Sequence, residues 1–285
     1  MYRYRLQGRK RVLKRVLIHV AAWLVALVWV VPFLGVFMTS IRPYEEIVNG
    51  WWRFERFTPT LENFLYVWNY RTAPLSRAMV NSFLIAIPST IIPIFVAALA
   101  AYVFARFSFP LRDLLFFTIV VLMSLPQQMV ILPVFLLENQ LGLWNTHIGL
   151  ILLHSAFGLP WIILFLRNFF MTLPVELEEA AKIDGASDIE IFFRIVLPLS
   201  LPALLSIAVL QFNWVWNDFF FALIILVSPE NYVVTQTIPI LKGRYYIRWD
   251  HMAAASVLAM SVPLIVYAAL QKYYIRGVLG GTVKG

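Results

Sequence analysis

Apolar residues in this chain gather into long blocks instead of alternating with polar ones. Six blocks stand out: Val16–Met38, Met79–Val103, Leu114–Leu137, Ile148–Phe170, Leu204–Leu226 and Ala253–Tyr274. Each reaches about 20 residues, the length needed to cross the hydrocarbon core of a bilayer as a helix. The pattern predicts six membrane-spanning helices. Prolines recur within them, at Pro32, Pro88, Pro93, Pro126, Pro133, Pro160 and Pro263. Each frees a backbone carbonyl that neighbouring helices or water must satisfy. Their recurrence fits a bundle that lines a cavity or bends, although any single one is equally a static kink.

The segment between the fourth and fifth blocks has a different texture. From Pro174 to Pro198 it is charged and carries helix signals. Pro174 suits the first turn of a helix, and Glu176, Glu178 and Glu179 sit where the helix dipole favours carboxylates. Gly185 is placed to end that helix in a left-handed conformation. Ser187 and Glu190 have the spacing of a capping box for a second helix carrying Phe192, Phe193, Ile195 and Val196. The segment predicts a helix, a glycine turn and a second helix at the membrane surface, with Ala180 and Ala181 offering a small-residue face for a partner.

Composition supports the membrane assignment. Of 285 residues 61% are hydrophobic and only 13% charged, against about 25% charged in a soluble domain. Seven basic residues (Arg3, Arg5, Arg9, Lys10, Arg11, Lys14, Arg15) precede the first block without an acid among them. That block is too long for a signal peptide, so a retained first span with a cytoplasmic N-terminus is expected. Six spans return the C-terminus to the same side. The loop with Arg106 and Arg112 then lies inside, and the loop with Glu138 outside. The first external loop, Ile41–Arg77, carries five basic residues against four acids and departs from this pattern.

The chemistry the chain lacks narrows its function. There is no cysteine, hence no thiolate metal site or nucleophile. The four histidines (His19, His147, His154, His251) are scattered without metal-ligand spacing, and no phosphate-binding G-x-x-x-x-G-K-[ST] loop occurs. Glu179 and Asp184 fall on different helix faces and do not form a catalytic pair. No catalytic residue, metal or bound cofactor is expected. Two polar groups lie within spans: Gln127 and Gln128 after Pro126, and Asn213, Asn217 and Asp218 in the fifth block. Each either lines a pathway or ties helices together. Outside the membrane, Tyr245, Tyr246 and Trp249 lie beside Lys242, Arg244 and Arg248, a mix that suits a polar partner or an interfacial anchor.

The motifs resemble a known family. Glu179-Ala180-Ala181, Asp184-Gly185-Ala186 and then Phe192, Ile195, Leu197 and Pro198 match the EAA signature of permease subunits of binding-protein-dependent ABC importers. Asn81-Ser82, Ala100-Ala101-Tyr102, Ala105-Arg106, Phe109-Pro110 and Trp216-Asn217-Asp218 resemble the carbohydrate branch, of maltose-permease type. So does the tail from Gln271-Lys272-Tyr273-Tyr274 to Gly281-Thr282-Val283-Lys284-Gly285. Gly50-Trp51-Trp52 after Ser40-Ile41-Arg42 looks most like glucose/mannose and α-glucoside permeases.

The resemblance implies an all-α integral membrane protein with the type I ABC importer transmembrane fold. Its expected parts are a basic cytoplasmic N-terminus at 1–15 and a first span at 16–38. A core permease domain follows at 79–274, with its coupling loop at 174–198, and then a cytoplasmic tail at 275–285. The implied function is sugar import across the cytoplasmic (inner) membrane by alternating access. The implied partners are a second, homologous permease subunit, a cytoplasmic ATPase dimer holding ATP and Mg, and an external sugar-binding protein. Carried over residue by residue, Glu179, Ala180, Ala181, Asp184, Gly185 and Ala186 contact the ATPase, and Val283, Lys284 and Gly285 contact it through the tail. Tyr245, Tyr246 and Trp249 are expected to meet the binding protein. The rival class is an ion-coupled secondary transporter, which needs an intramembrane relay of acids or histidines.

Overall fold

The computed structural model describes residues 2–242 and 247–280, with side chains described for 14–242 and 247–272. All regular structure among the described residues is helical. Four helical stretches are long and apolar enough to cross a membrane, and the number is six when each of two bent pairs counts as one span. The chain divides into two compact units. One falls within residues 1–68 and 241–258, the other within 69–240 and 259–285.

The first unit is built on α1 (Tyr2–Ser40), with α2 (Tyr44–Ile47) and α3 (Glu62–Trp68) after it. The apolar side chains of α1, such as Trp23, Leu27, Val28 and Trp29, are exposed, a surface suited to lipid or to another apolar helix. The segment after α1 is folded tightly, contrary to its appearance as a loop of mixed charge. Arg42 is buried at its centre, 1% exposed. Its guanidinium donates to Glu46 at 3.0 Å and to the carbonyls of Trp51 (3.1 Å) and Arg56 (2.7 Å). Asn63 donates to the carbonyls of Ser40 and Arg42. Thr58 donates to Glu46 through its hydroxyl. These bonds, that from Thr58 first, hold the Glu46 carboxyl below its ordinary range.

The second unit holds the remaining spans. α4 (Leu75–Ala86) and α5 (Pro88–Arg106) form one long stretch. α6 (Arg112–Leu122) and α7 (Gln127–Gln140) meet at 99°. The third apolar block is therefore not a straight helix. Pro126 has no N–H to continue α6 and keeps Leu125 out of helical conformation, so the chain turns there. α8 (His147–Phe170) follows, then α9 (Glu176–Ile183) and α10 (Asp188–Ile191).

A π-helical turn at Phe192–Val196 leads through α11 (Leu197–Leu199) into α12 (Leu201–Trp216), with a 72° bend on the way. Pro198 offers no N–H to the preceding turn. That turn widens until the Leu197 N–H reaches the Phe192 carbonyl, five residues back. The fifth block also differs from expectation, because α12 stops at Trp216. Asp218 then accepts from the N–H groups of Phe221 (3.3 Å) and Ala222 (3.0 Å). That starts a separate short helix, α13 (Phe220–Ile225), followed by α14 (Val234–Ile240). α15 (Trp249–Gly280) gives its first turns to the first unit and its remainder to the second.

The second unit is held together inside by close approach and by buried amides. Small residues Ala97, Ala98 and Ala101 of α5 share a buried core with Ile162, Ile163 and Leu166 of α8, the way membrane helices bring their backbones together. Gln211 of α12 is fully buried. It donates to the Ser89 carbonyl (3.1 Å) and accepts from the Trp161 indole (3.1 Å). Gly158 of α8 makes room for it, since a Cβ there would stand 2.6 Å from the Gln211 amide nitrogen. Gly158→Val should displace Gln211, break both bonds and cost about 1–3 kcal/mol, the usual scale of overpacking. A lowered melting temperature in detergent would show it, and an unchanged one would refute it.

Candidate functional site

The site is the surface built by α9, the glycine turn and α10. Its three leading acids have two different fates, although they look alike in sequence. Glu176 and Glu179 are exposed, whereas Glu178 is buried, 5% exposed. Its carboxylate accepts from Arg106 Nε at 2.7 Å and from the Tyr102 hydroxyl at 3.1 Å. Arg106 ends α5, and its other arm donates to the Leu173 carbonyl at 3.1 Å. The surface helix is thus stitched to the end of the second span.

The far end of α9 closes as the sequence predicts. Gly185 has φ +87°. Its N–H bonds to the Lys182 carbonyl, and the Ala186 N–H reaches the Ala181 carbonyl, the paired bonds of a Schellman stop. Ser187 and Glu190 complete a reciprocal capping box. Lys182 bridges the turn to Asp188 at 2.8 Å, and that bond, with the carboxylate's charge, holds the Lys182 ammonium above its ordinary pKa.

The stop sorts the signature residues onto two faces. Ala181 and Ala186 pack inward on a core containing Tyr102, Phe170, Ile191 and Phe192. Glu179, Ala180, Asp184 and Gly185 face outward. Beside them stand Ile183, 86% exposed, and Ile189, 71% exposed. Two branched apolar side chains held out beyond the acidic first turn form an exposed apolar knob that is not among the residues singled out from the sequence. Their apolar identity was its only available signal.

The polar residues within the spans separate in the same way. Gln127 lines a cavity of about 620 Å³ at the α6–α7 bend, together with Phe157, Trp161, Leu210 and Trp214. Gln128 is exposed, as are Asn213 and Asn217, and the Asn217 amide donates back to Asn213. Asp218 is spent on capping α13 and stands 3.5 Å from the buried His154 ring. Trp249 is half exposed at the start of α15. Tyr245, Tyr246, Val283, Lys284 and Gly285 lie outside the described residues. No group of three metal-binding side chains occurs among the described residues.

Residues 93–280 match the family described as "Binding-protein-dependent transport system inner membrane component". The chain belongs to this family. It is 53% identical over 93% of its length to a probable ABC transporter permease protein of Pyrococcus horikoshii, of which it covers 96%. It is 42% identical over 79% of its length to an alpha-glucoside transport system permease protein of Rhizobium meliloti, covering 60% of that protein. The crystal structure of a bacterial ABC transporter that imports alginate contains a chain of the same fold. The TM-score is 0.77 at 23% identity, over 91% of this chain and 95% of that one. The chain is accordingly a multi-pass permease subunit of ABC-importer type, and a transporter component, not an enzyme.

In this permease Gly185 is open on all sides, with nothing within 4 Å of a built Cβ. Gly185→Ala should therefore cost only the strain of a left-handed residue, roughly 1–2 kcal/mol. The variant should accumulate in the membrane and melt slightly lower. A steep loss of protein would contradict this.

Proposed function

We propose that this permease carries a sugar, with an α-glucoside the best-supported class, across the cytoplasmic membrane in an ATP-driven importer. The outward face shared by α9 and α10 is the observation that carries the proposal. It combines an acidic first turn, a glycine stop and the exposed Ile183 and Ile189 on a scaffold with no nucleotide-binding motif of its own. The energy source must then sit on a partner that grips this face. The partner expected from the family is a cytoplasmic ATPase dimer binding ATP and Mg. The sugar class is supported by the likeness to the alpha-glucoside permease.

The rest of the assembly is proposed on the same ground. A second, homologous permease subunit completes the pathway, and an external sugar-binding protein delivers the cargo. Both termini lie on the cytoplasmic side, where the basic start of α1 belongs. The Val283–Gly285 tail adds a second ATPase contact, and the segment with Tyr245, Tyr246 and Trp249 meets the binding protein. When ATP closes the ATPase dimer, the paired surface helices draw together and the bent spans open outward. Release of the nucleotide products reverses this and frees the sugar inside.

Gln127, with the aromatic cavity it lines, is the group best placed to meet the passing sugar. Asn213 and Asn217 offer exposed amides along α12. Ion coupling is the weaker reading. Its nearest relay would be His154–Asp218, and both Asp218 oxygens already hold the start of α13.

Vesicles reconstituted with the two permeases, the ATPase and the binding protein should take up radiolabelled α-glucosides only with ATP, and an ionophore should have no effect. Uptake that survives without ATP and collapses with the ionophore would overturn the proposal. In the same system Ile183→Asp should weaken ATPase binding at least about tenfold, the cost of burying an unpaired charge in an interface. Gly185→Asp should leave the protein in the membrane while ATP hydrolysis no longer drives uptake.

A further inference from the structure

We propose that Tyr102, Arg106 and Glu178 form a transmission clamp that makes the docking helix α9 and the second span α5 a single moving body. The ATPase stroke then enters the bundle through α5 and its close neighbour α8. α12, the span that follows the docking segment in sequence, receives it only indirectly. This inference rests on α9 being the ATPase contact.

Three observations carry it. The clamp joins residues more than seventy positions apart in sequence, through a 2.7 Å ion pair and a 3.1 Å hydrogen bond. All three side chains are nearly or fully removed from solvent, so losing one partner would strand a buried charge. Second, the covalent entry to α9 is held at the same point. The turn between α8 and α9 contains Leu173, whose carbonyl accepts from Arg106. Arg106 therefore fixes both the docking helix and the turn leading into it. Third, the covalent exit is not a straight lever to α12. Between α10 and α12 lie the π-helical turn, Pro198 and a 72° bend, and Phe192 and Val196 of that turn are buried in the core shared by α5 and α8.

Beyond the clamp, the body stays rigid. Ala97, Ala98 and Ala101 of α5 are buried against Ile162, Ile163 and Leu166 of α8. Tyr102 also packs against Phe192 at 5.2 Å and Phe107 at 5.8 Å between ring centres, so the clamp residue is itself set in an aromatic core.

The chain has no cysteine, so two can be introduced cleanly for spin labels. Ser108, two residues beyond α5, and Leu177, in the first turn of α9, are both exposed. With Ser108→Cys and Leu177→Cys in the full reconstituted importer, the label distance should not change on adding a non-hydrolysable ATP analogue. In the Arg106→Gln background it should shift or broaden. The ATP spent per sugar imported should rise about tenfold, the scale set by one lost charge-assisted hydrogen bond.

A distance that moves in the unaltered importer, or that stays fixed in Arg106→Gln, would overturn the clamp. So would an unchanged ATP cost in Arg106→Gln. If Arg106→Gln does not accumulate, Tyr102→Phe keeps the ion pair and carries the same two measurements, with a smaller expected change. An unaltered importer that ignores ATP altogether would instead sink the docking role of α9, so the two failures are distinguishable.

Discussion

A carboxylate taken out of water at the end of a membrane span must find a cation or lose its charge. Glu178 finds Arg106, and the arrangement of the α9–α10 surface follows from that pairing. It fixes how α9 is rotated about its axis. With Glu178 turned inward, Ala181 falls on the core, while Glu179, Ala180 and Ile183 are turned outward. Helical periodicity leaves little freedom once one position is tied down. The glycine stop then reverses the chain so that Ala186 joins Ala181 on the inner side. A single buried ion pair thereby determines which chemistry a partner meets.

The interior of the second unit solves a related problem mainly with side-chain amides. Several elements of the second unit are interrupted, and each interruption leaves backbone groups that lipid cannot satisfy. Amide side chains meet the need. Asn81 donates to the carbonyls of Glu230 and Tyr232, both at 2.9 Å. Gln236 donates to those of Ala222 and Leu226 at the end of α13. Gln211 serves Ser89, and Asp218 serves the start of α13. Polar residues in these spans are explained first as support for broken backbone. Those left exposed, among them Gln128, Asn213 and Asn217, are the ones available to anything passing by.

What could be read from sequence divides by the range of the interaction. Gly185, Ser187 and Glu190 were legible because a helix stop and a capping box are settled within a few residues. Pro126 was visible as a proline, but not as the break with its 99° angle, since Pro93, Pro133, Pro160 and Pro263 sit inside continuous helices and only neighbouring helices decide which proline turns the chain. Glu176, Glu178 and Glu179 could not be told apart, because their local environments match and only the distant Arg106 distinguishes them. The burial of Arg42 was hidden for the same reason. An arginine is ordinarily at the surface, and the carbonyls it satisfies come from turns whose positions the apolar pattern does not encode. The end of α12 at Trp216 was masked because apolar residues continue on both sides of it, with Asn217 and Asp218 the sign of a new start. The surface segment as a whole stood out because its charge interrupts two apolar blocks.

The π-helical turn at Phe192–Val196 has a consequence for how such chains can diverge. A π turn is a helix carrying one residue more than its length requires. Each residue of an α-helix advances about 100° around the axis. The surplus residue therefore sets the angular phase between the docking segment and the fifth span. Lineages that gain or lose a residue here would re-aim one against the other by more than a quarter turn, with no substitution in either. Chain length in this stretch therefore sets an angle that no single side chain sets.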